Sequence, residues 1–138
     1  MNRASAIGEW HRALKALGSA EVLLREEYEA DAVSRAYYAI MHAAKAALFV
    51  HDVATTSHVG TKRMFGLHLV RPNRIEPEWS GHLAEGSDER LAADYDVHTV
   101  FSIQEAEREC TRARAFLDRV RHYLIESGLA EEELSAET

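Results

Sequence analysis

Residues 31–49, DAVSRAYYAIMHAAKAALF, hold the side chains best suited to chemistry in this chain. At 3.6 residues per turn, two residues seven apart differ by only about 20° in direction, and Arg35 and His42 are such a pair. Tyr38 lies three after Arg35 and four before His42, Asp31 four before Arg35, and Lys45 three after His42. Five polar or ionisable groups therefore form one stripe on a helix otherwise rich in Ala, Ile and Leu. An arginine fork can grip a phosphate, a tyrosine can stack, and a histidine can move a proton near neutral pH. A solvated face of an amphipathic helix would give the same spacing, with Asp31 and Arg35 as an ordinary i,i+4 pair. The residue types favour chemistry, because the Glu, Lys and Gln filler usual on solvent faces is scarce here.

Other candidate groups read as structural. The eight histidines are dispersed and form no His-x-x-x-His or Glu-x-x-His pair, whereas a zinc site needs three or four convergent ligands. No metal and no cofactor are therefore expected. His58, near a helix start, would cap it or orient the segment holding Arg90, Asp94 and Tyr95, and Arg90 with Asp94 makes an i,i+4 ion pair. Arg108, Arg112 and Arg119 share much of one helix face, which could track a phosphate backbone or, with Glu105 and Glu109, form a salt-bridged exterior. Cys110 falls at an apolar position and reads as core.

Helices must position the stripe. Apolar residues recur at three- and four-residue spacing over about 5–28, with Gly18 a point of bending or breakage. The stripe's own helix runs over about 30–51, with Val33, Tyr37, Ile40, Ala44, Ala47 and Leu48 on its apolar face. VATTSH follows as a loop ending in an N-cap near Ser57. A third helix spans about 58–70, with Val59, Met64, Phe65 and Leu69 together. Both prolines and two glycines then mark a connector with a turn of helix over 78–84, and SDERLAADYDV gives a second brief helix. Ser102-Ile103-Gln104-Glu105 matches a capping box and opens the last long helix, which Gly128 closes. The final ten residues carry four Glu and no core face, and read as an acidic, disordered tail over 129–138. Residues 1–128 then make one domain, an all-α, up-and-down bundle of four to five helices.

Composition agrees. At 138 residues and 46% hydrophobic, the chain suits one core, and its net charge of −7 excludes a general nucleic-acid coat while allowing a local basic site. A single cysteine excludes an internal disulfide framework. No stretch free of Asp, Glu, Lys and Arg exceeds nine residues, so no membrane span is expected and a cytoplasmic location is.

The stripe also carries a family likeness. SRAYYAIMHAAKAALF, residues 34–49, resembles the core helix of HEPN (higher eukaryote and prokaryote nucleotide-binding) domains, in particular small stand-alone prokaryotic members with S-R-x-Y-Y-A-x-x-H-A-A-x-A-x-L. Ser57-His58-Val59-Gly60 with Phe65, the R-x-x-A-D-Y element at 90–95, and Glu105-Ala106 with Ala115-Phe116-Leu117 follow in the family's order, covering about residues 10–125. The resemblance implies a helical bundle that dimerises around a composite cleft. It also implies a metal-independent endoribonuclease whose signature, an Arg and a following His with four to six residues between them, is met by Arg35 and His42 with six between. Asp31, Tyr38 and Lys45 would support the reaction or hold RNA. The implied setting is the toxin of a toxin–antitoxin pair or another defence module, with a nucleotidyltransferase-like antitoxin as partner. Non-catalytic HEPN modules that bind nucleotides or proteins beside such a partner are the other role the family implies. Some HEPN toxins carry a modifiable Tyr two residues after the His; Ala44 stands there, so that modification is not carried over. Ala36 follows Arg35, where active members often have a polar residue.

Overall fold

Alanine sets the geometry of this bundle. The computed structural model describes residues 1–95, 98 and 100–135. Its helices are α1 (Arg3–Arg25), α2 (Glu29–Phe49), α3 (His58–Phe65, extended by a π-helical turn Gly66–Val70), α4 (Glu78–Tyr95), α5 (Ile103–Glu126) and α6 (Glu131–Leu134). The described residues are about 77% helical, with no strand among them. Helix α2 is the axle: α1, α3, α4 and α5 all pack on it. Ala32, Ala36, Ala39, Ala43, Ala44, Ala46 and Ala47 are buried along it, and such small side chains let neighbouring helices approach closely. Tyr37, Ile40, Met41 and Leu48 fill the spaces between. The apolar face read from spacing is thus buried as expected, but alanine extends burial around most of the circumference.

Two expected interruptions are absent. Helix α1 runs unbroken through Gly18, because the cost of about 1 kcal/mol for a helical glycine is outweighed by packing of the buried Ala13 and Ala20 on either side. The two short helices expected over 78–95 are one, α4. Its Gly86 faces Tyr37 and Ile40 of α2, where an added Cβ would already lie 3.5 and 3.6 Å from their side chains. Tertiary packing again overrides glycine's weak propensity. Val59, grouped with the apolar face of α3, is instead exposed, and Thr61 is buried with Phe65.

The caps behave as their sequences suggest. Ser57 Oγ accepts from the Gly60 amide, and Ser102 Oγ from the Glu105 amide. Four connections close with a left-handed residue after a helical stretch: Glu27, Asp52, Asn73 and Gly128 have φ of 62, 57, 61 and 110°. At the last, the Gly128 and Leu129 amides donate to Ile125 and Leu124 carbonyls at 3.0 and 3.1 Å, a Schellman closure. An L side chain is disfavoured there, so Gly128→Ala is expected to lower unfolding free energy by about 1–2 kcal/mol, measured by urea denaturation.

The face of α5 carrying Arg108, Arg112 and Arg119 is a salt-bridged exterior. Arg112 pairs with Glu85 at 2.7 Å and with buried Glu109 at 2.9 Å, and Arg119 with Glu76 at 2.7 Å. The Arg119 hydrogen bond holds the Glu76 carboxyl down at about 2 and pins the connector before α4. Cys110 is core, and burial raises its thiol to about 11.

The segment after Gly128, expected as a disordered tail, docks on α1 through residue 135. Leu129 and Leu134 are buried, and Trp10 Nε1–H donates to the Leu134 carbonyl at 2.8 Å. Arg3 grips both Glu133 carboxylate oxygens at 2.9 and 2.6 Å, and His11 Nε2–H donates to the Glu133 carbonyl at 3.0 Å. The physical reason is partnership: two leucines and one glutamate suffice once a complementary helix end is in place. Residues 136–138 lie outside the described residues. The sixth helix, beyond the four to five expected, is α6 in this segment.

Candidate functional site

Close packing leaves α2 one open strip. Asp31 and Arg35 are exposed, Ser34, Tyr38, His42 and Lys45 half-buried, and every other residue from 32 to 44 buried. The stripe read from spacing is that strip. Across from it stands α1, so that Arg35, Tyr38 and His42 face Arg12, Lys15, Ala16, Ser19, Val22 and Leu23 over an open groove of about 1060 Å³. Asp31 lies at one end, lining a smaller cavity with Ser34, Arg35, Tyr38 and Leu23. Lys45 lines neither cavity and sits one turn beyond His42.

The groups differ in how they are held. The Arg35 guanidinium lies 5.8 Å from the centre of the Tyr38 ring. Among the described residues no ion pair joins it to Asp31, so the i,i+4 pairing that a solvated face would use is not made, and the fork is not taken up by that carboxylate. His42 Nδ1 lies 2.6 Å from Glu9 Oε2 of α1. Burial alone would raise the Glu9 carboxyl, but the His42 hydrogen bond, with the charges of His42, Lys45 and Arg12, outweighs it and holds Glu9 below the ordinary carboxylate range.

Helices α3 and α4 close the other side. The Arg90 guanidinium lies 5.2 Å from the Tyr37 ring and 5.9 Å from both Tyr38 and Tyr95, and is paired with Asp94 at 3.2 Å. Tyr38 therefore sits between two arginines, one reaching the groove and one anchoring α4. Ser57, not His58, supplies the cap of α3. The His58 ring packs edge-on against Tyr37 and Tyr38 at 5.4 and 6.1 Å, and burial, then the charges of Arg90, Lys45, Lys62 and His42, lowers its pKa.

The surroundings are cationic although the chain is acidic. Arg12, Lys15, Arg35, Lys45, Lys62 and Arg90 gather here, including all three lysines of the chain. Among the described residues, the carboxylates Glu9, Asp31 and Asp94 stand here, the first bound to His42 and the last to Arg90. Glu9, Arg12 and Lys15 were missed by reading the stripe alone. The only local signal was their three-residue spacing beside small Ala16, Gly18 and Ser19, which leave room for a groove. Among the described residues no three His, Cys, Asp or Glu side chains converge to hold a metal ion, and no helix is long and apolar enough to cross a membrane.

Residues 9–123 match the family model of the HEPN domain. The chain belongs to the HEPN family. It is 36% identical over 110 residues to a candidate toxin of Methanocaldococcus jannaschii, covering 80% of this chain and 81% of that protein. A second candidate toxin of the same organism is 30% identical over 118 residues, covering 86% and 80%. A UPF0332 protein of Pyrococcus horikoshii is 43% identical over 76 residues, covering 54% of each. In this HEPN chain Ala36 and Ala44 are both fully buried, so neither position presents a group to the groove.

Proposed function

We propose that this HEPN protein is a metal-independent endoribonuclease that acts as a homodimer in the cytoplasm, as the toxin of a toxin–antitoxin pair or other defence module. A nucleotidyltransferase-like antitoxin is its proposed partner. The observation that carries this reading is the pairing of Arg35 and His42 on the single open strip of a buried helix, facing a cationic groove. The toxin names of the two Methanocaldococcus relatives support the biological role.

Cleavage by this route is a transesterification. The ribose 2′-oxygen attacks the adjacent phosphorus, the bond from phosphorus to the 5′-oxygen breaks, and the products are a 2′,3′-cyclic phosphate and a 5′-hydroxyl. His42 Nε2 takes the 2′-hydroxyl proton, and a second imidazole returns a proton to the leaving 5′-oxygen. A two-fold dimer that joins two grooves supplies that second His42. Arg35 stabilises the pentavalent phosphate with its planar fork, Tyr38 orients that fork and offers a ring face, and Lys45 adds positive charge along the strip. Asp31, at one end of the groove, borders the phosphate-binding Arg35.

Incubating the purified protein with single-stranded RNA in EDTA tests the reaction. Cleavage with cyclic-phosphate and 5′-hydroxyl ends is the expected result; products with 5′-phosphate ends, or cleavage only after a divalent metal is restored, would overturn it. The buried Ala36 and Ala44 favour a second reading, a non-catalytic HEPN module that binds nucleotides or protein with a nucleotidyltransferase-like partner. RNA retained intact by the wild-type protein under those conditions would favour that reading.

A further inference from the structure

We infer that Glu9 is the positioning residue of the site: its carboxylate fixes the proton of His42 on Nδ1 and turns Nε2 toward the groove. The inference rests on the ribonuclease reading for its catalytic consequence, but not for its structural one. The two residues come from different helices, 33 positions apart, and meet at 2.6 Å, a charge-assisted distance. An ionised carboxylate can only accept, so the shared proton belongs to the imidazole. Glu9 is kept ionised by its surroundings: Arg12 lies 4.0 Å away on its own helix, and Lys45 acts on it from α2. His42 also acts on His58 of α3, which Arg90 of α4 faces in turn, and Arg12, Lys15, Arg35 and Tyr38 line the same groove.

The two imidazole nitrogens lie on opposite edges of the ring. With Nδ1 turned to α1, Nε2 is the nitrogen left for a substrate, and its lone pair is ready to accept a proton. Without the carboxylate the ring can rotate about its last torsion and exchange tautomers, so that the wrong edge, or a protonated nitrogen, meets the 2′-hydroxyl. A partner carboxylate that fixes a tautomer in this way is a recurrent device for histidines with a task. A merely structural ion pair is a poor account of this bond. Helices α1 and α2 already share a core that includes buried Ala6, Trp10, Ala13 and Ala20, so the bundle does not depend on it.

The test uses the full-length protein with ¹⁵N-labelled histidine, alongside steady-state RNA cleavage. In the wild type the neutral His42 ring should carry its proton on Nδ1. Glu9→Ala should move it to Nε2 or to a mixture, and lower kcat by about 10–100-fold with little change in KM. Glu9→Gln, whose amide oxygen can accept the same bond, should restore most of both. A wild-type ring protonated on Nε2, or a Glu9→Ala protein with unchanged tautomer or unchanged kcat, overturns the inference. If the wild type cleaves no RNA but the tautomer switches as described, the positioning role stands and the ribonuclease reading falls.

Discussion

Replacing His42 by alanine is expected to slow RNA cleavage by about 10²–10⁴-fold, the range lost when a general acid–base group is removed. The variant should stay folded, because His42 lies on the open strip of α2 and not among its buried alanines. Loss of its 2.6 Å bond to Glu9 is expected to cost about 1–3 kcal/mol of stability. Arg35→Ala is expected to cost about 10²–10³-fold, the typical loss for one donor to a developing oxyanion. Arg35→Lys should recover little of it, since an ammonium cannot reproduce a planar fork on two phosphoryl oxygens, nor its stacking against Tyr38. Initial rates on one single-stranded substrate, with urea midpoints as a control for folding, decide the matter. Wild-type rates for His42→Ala would remove that residue from the mechanism, whatever happens at Arg35.

The largest effect on stability is expected at Trp10 of α1, the residue after Glu9. Trp10 is 1% exposed, fills the core, and donates to a carbonyl of the docked C-terminal segment. Trp10→Ala leaves a cavity of indole size and an orphaned acceptor, and is expected to cost about 3–5 kcal/mol in urea unfolding. Trp10→Phe separates the two contributions. It keeps most of the ring but loses the bond to Leu134, so it should cost far less overall while residues 129–135 become open to limited proteolysis. Equal protection of that segment in Trp10→Phe and wild type would show that Leu134 burial alone holds it.

The stripe on α2 was legible because a helix that is buried on most sides writes its one open face plainly: Arg, Tyr and His break a run of alanines. The caps at Ser57 and Ser102 and the closure at Gly128 were legible for a related reason, since each is decided by bonds to residues within five positions. What faced the stripe was not legible. Glu9 belongs to the site only because α1 lies antiparallel to α2 at a spacing set by alanine, and nothing in the local pattern of α1 names its neighbour. The same limit explains Gly18 and Gly86. Each weakens a helix taken alone, yet each lies in a helix held by tertiary contacts. The segment after Gly128 is the sharpest instance: the four glutamates of residues 129–138 speak for solvation, while Arg3, Trp10 and His11, far away in sequence, bind residues 133 and 134.

The distribution of lysine gives the site a built-in chemical reporter. With Lys15 on the groove wall, Lys45 on the strip and Lys62 near His58, the chain carries no lysine side chain elsewhere. Amine-directed acylation of the unaltered protein therefore labels side chains at one place only. Its extent, read by mass spectrometry with and without a bound polyanion, becomes a footprint of site occupancy that needs no engineered probe.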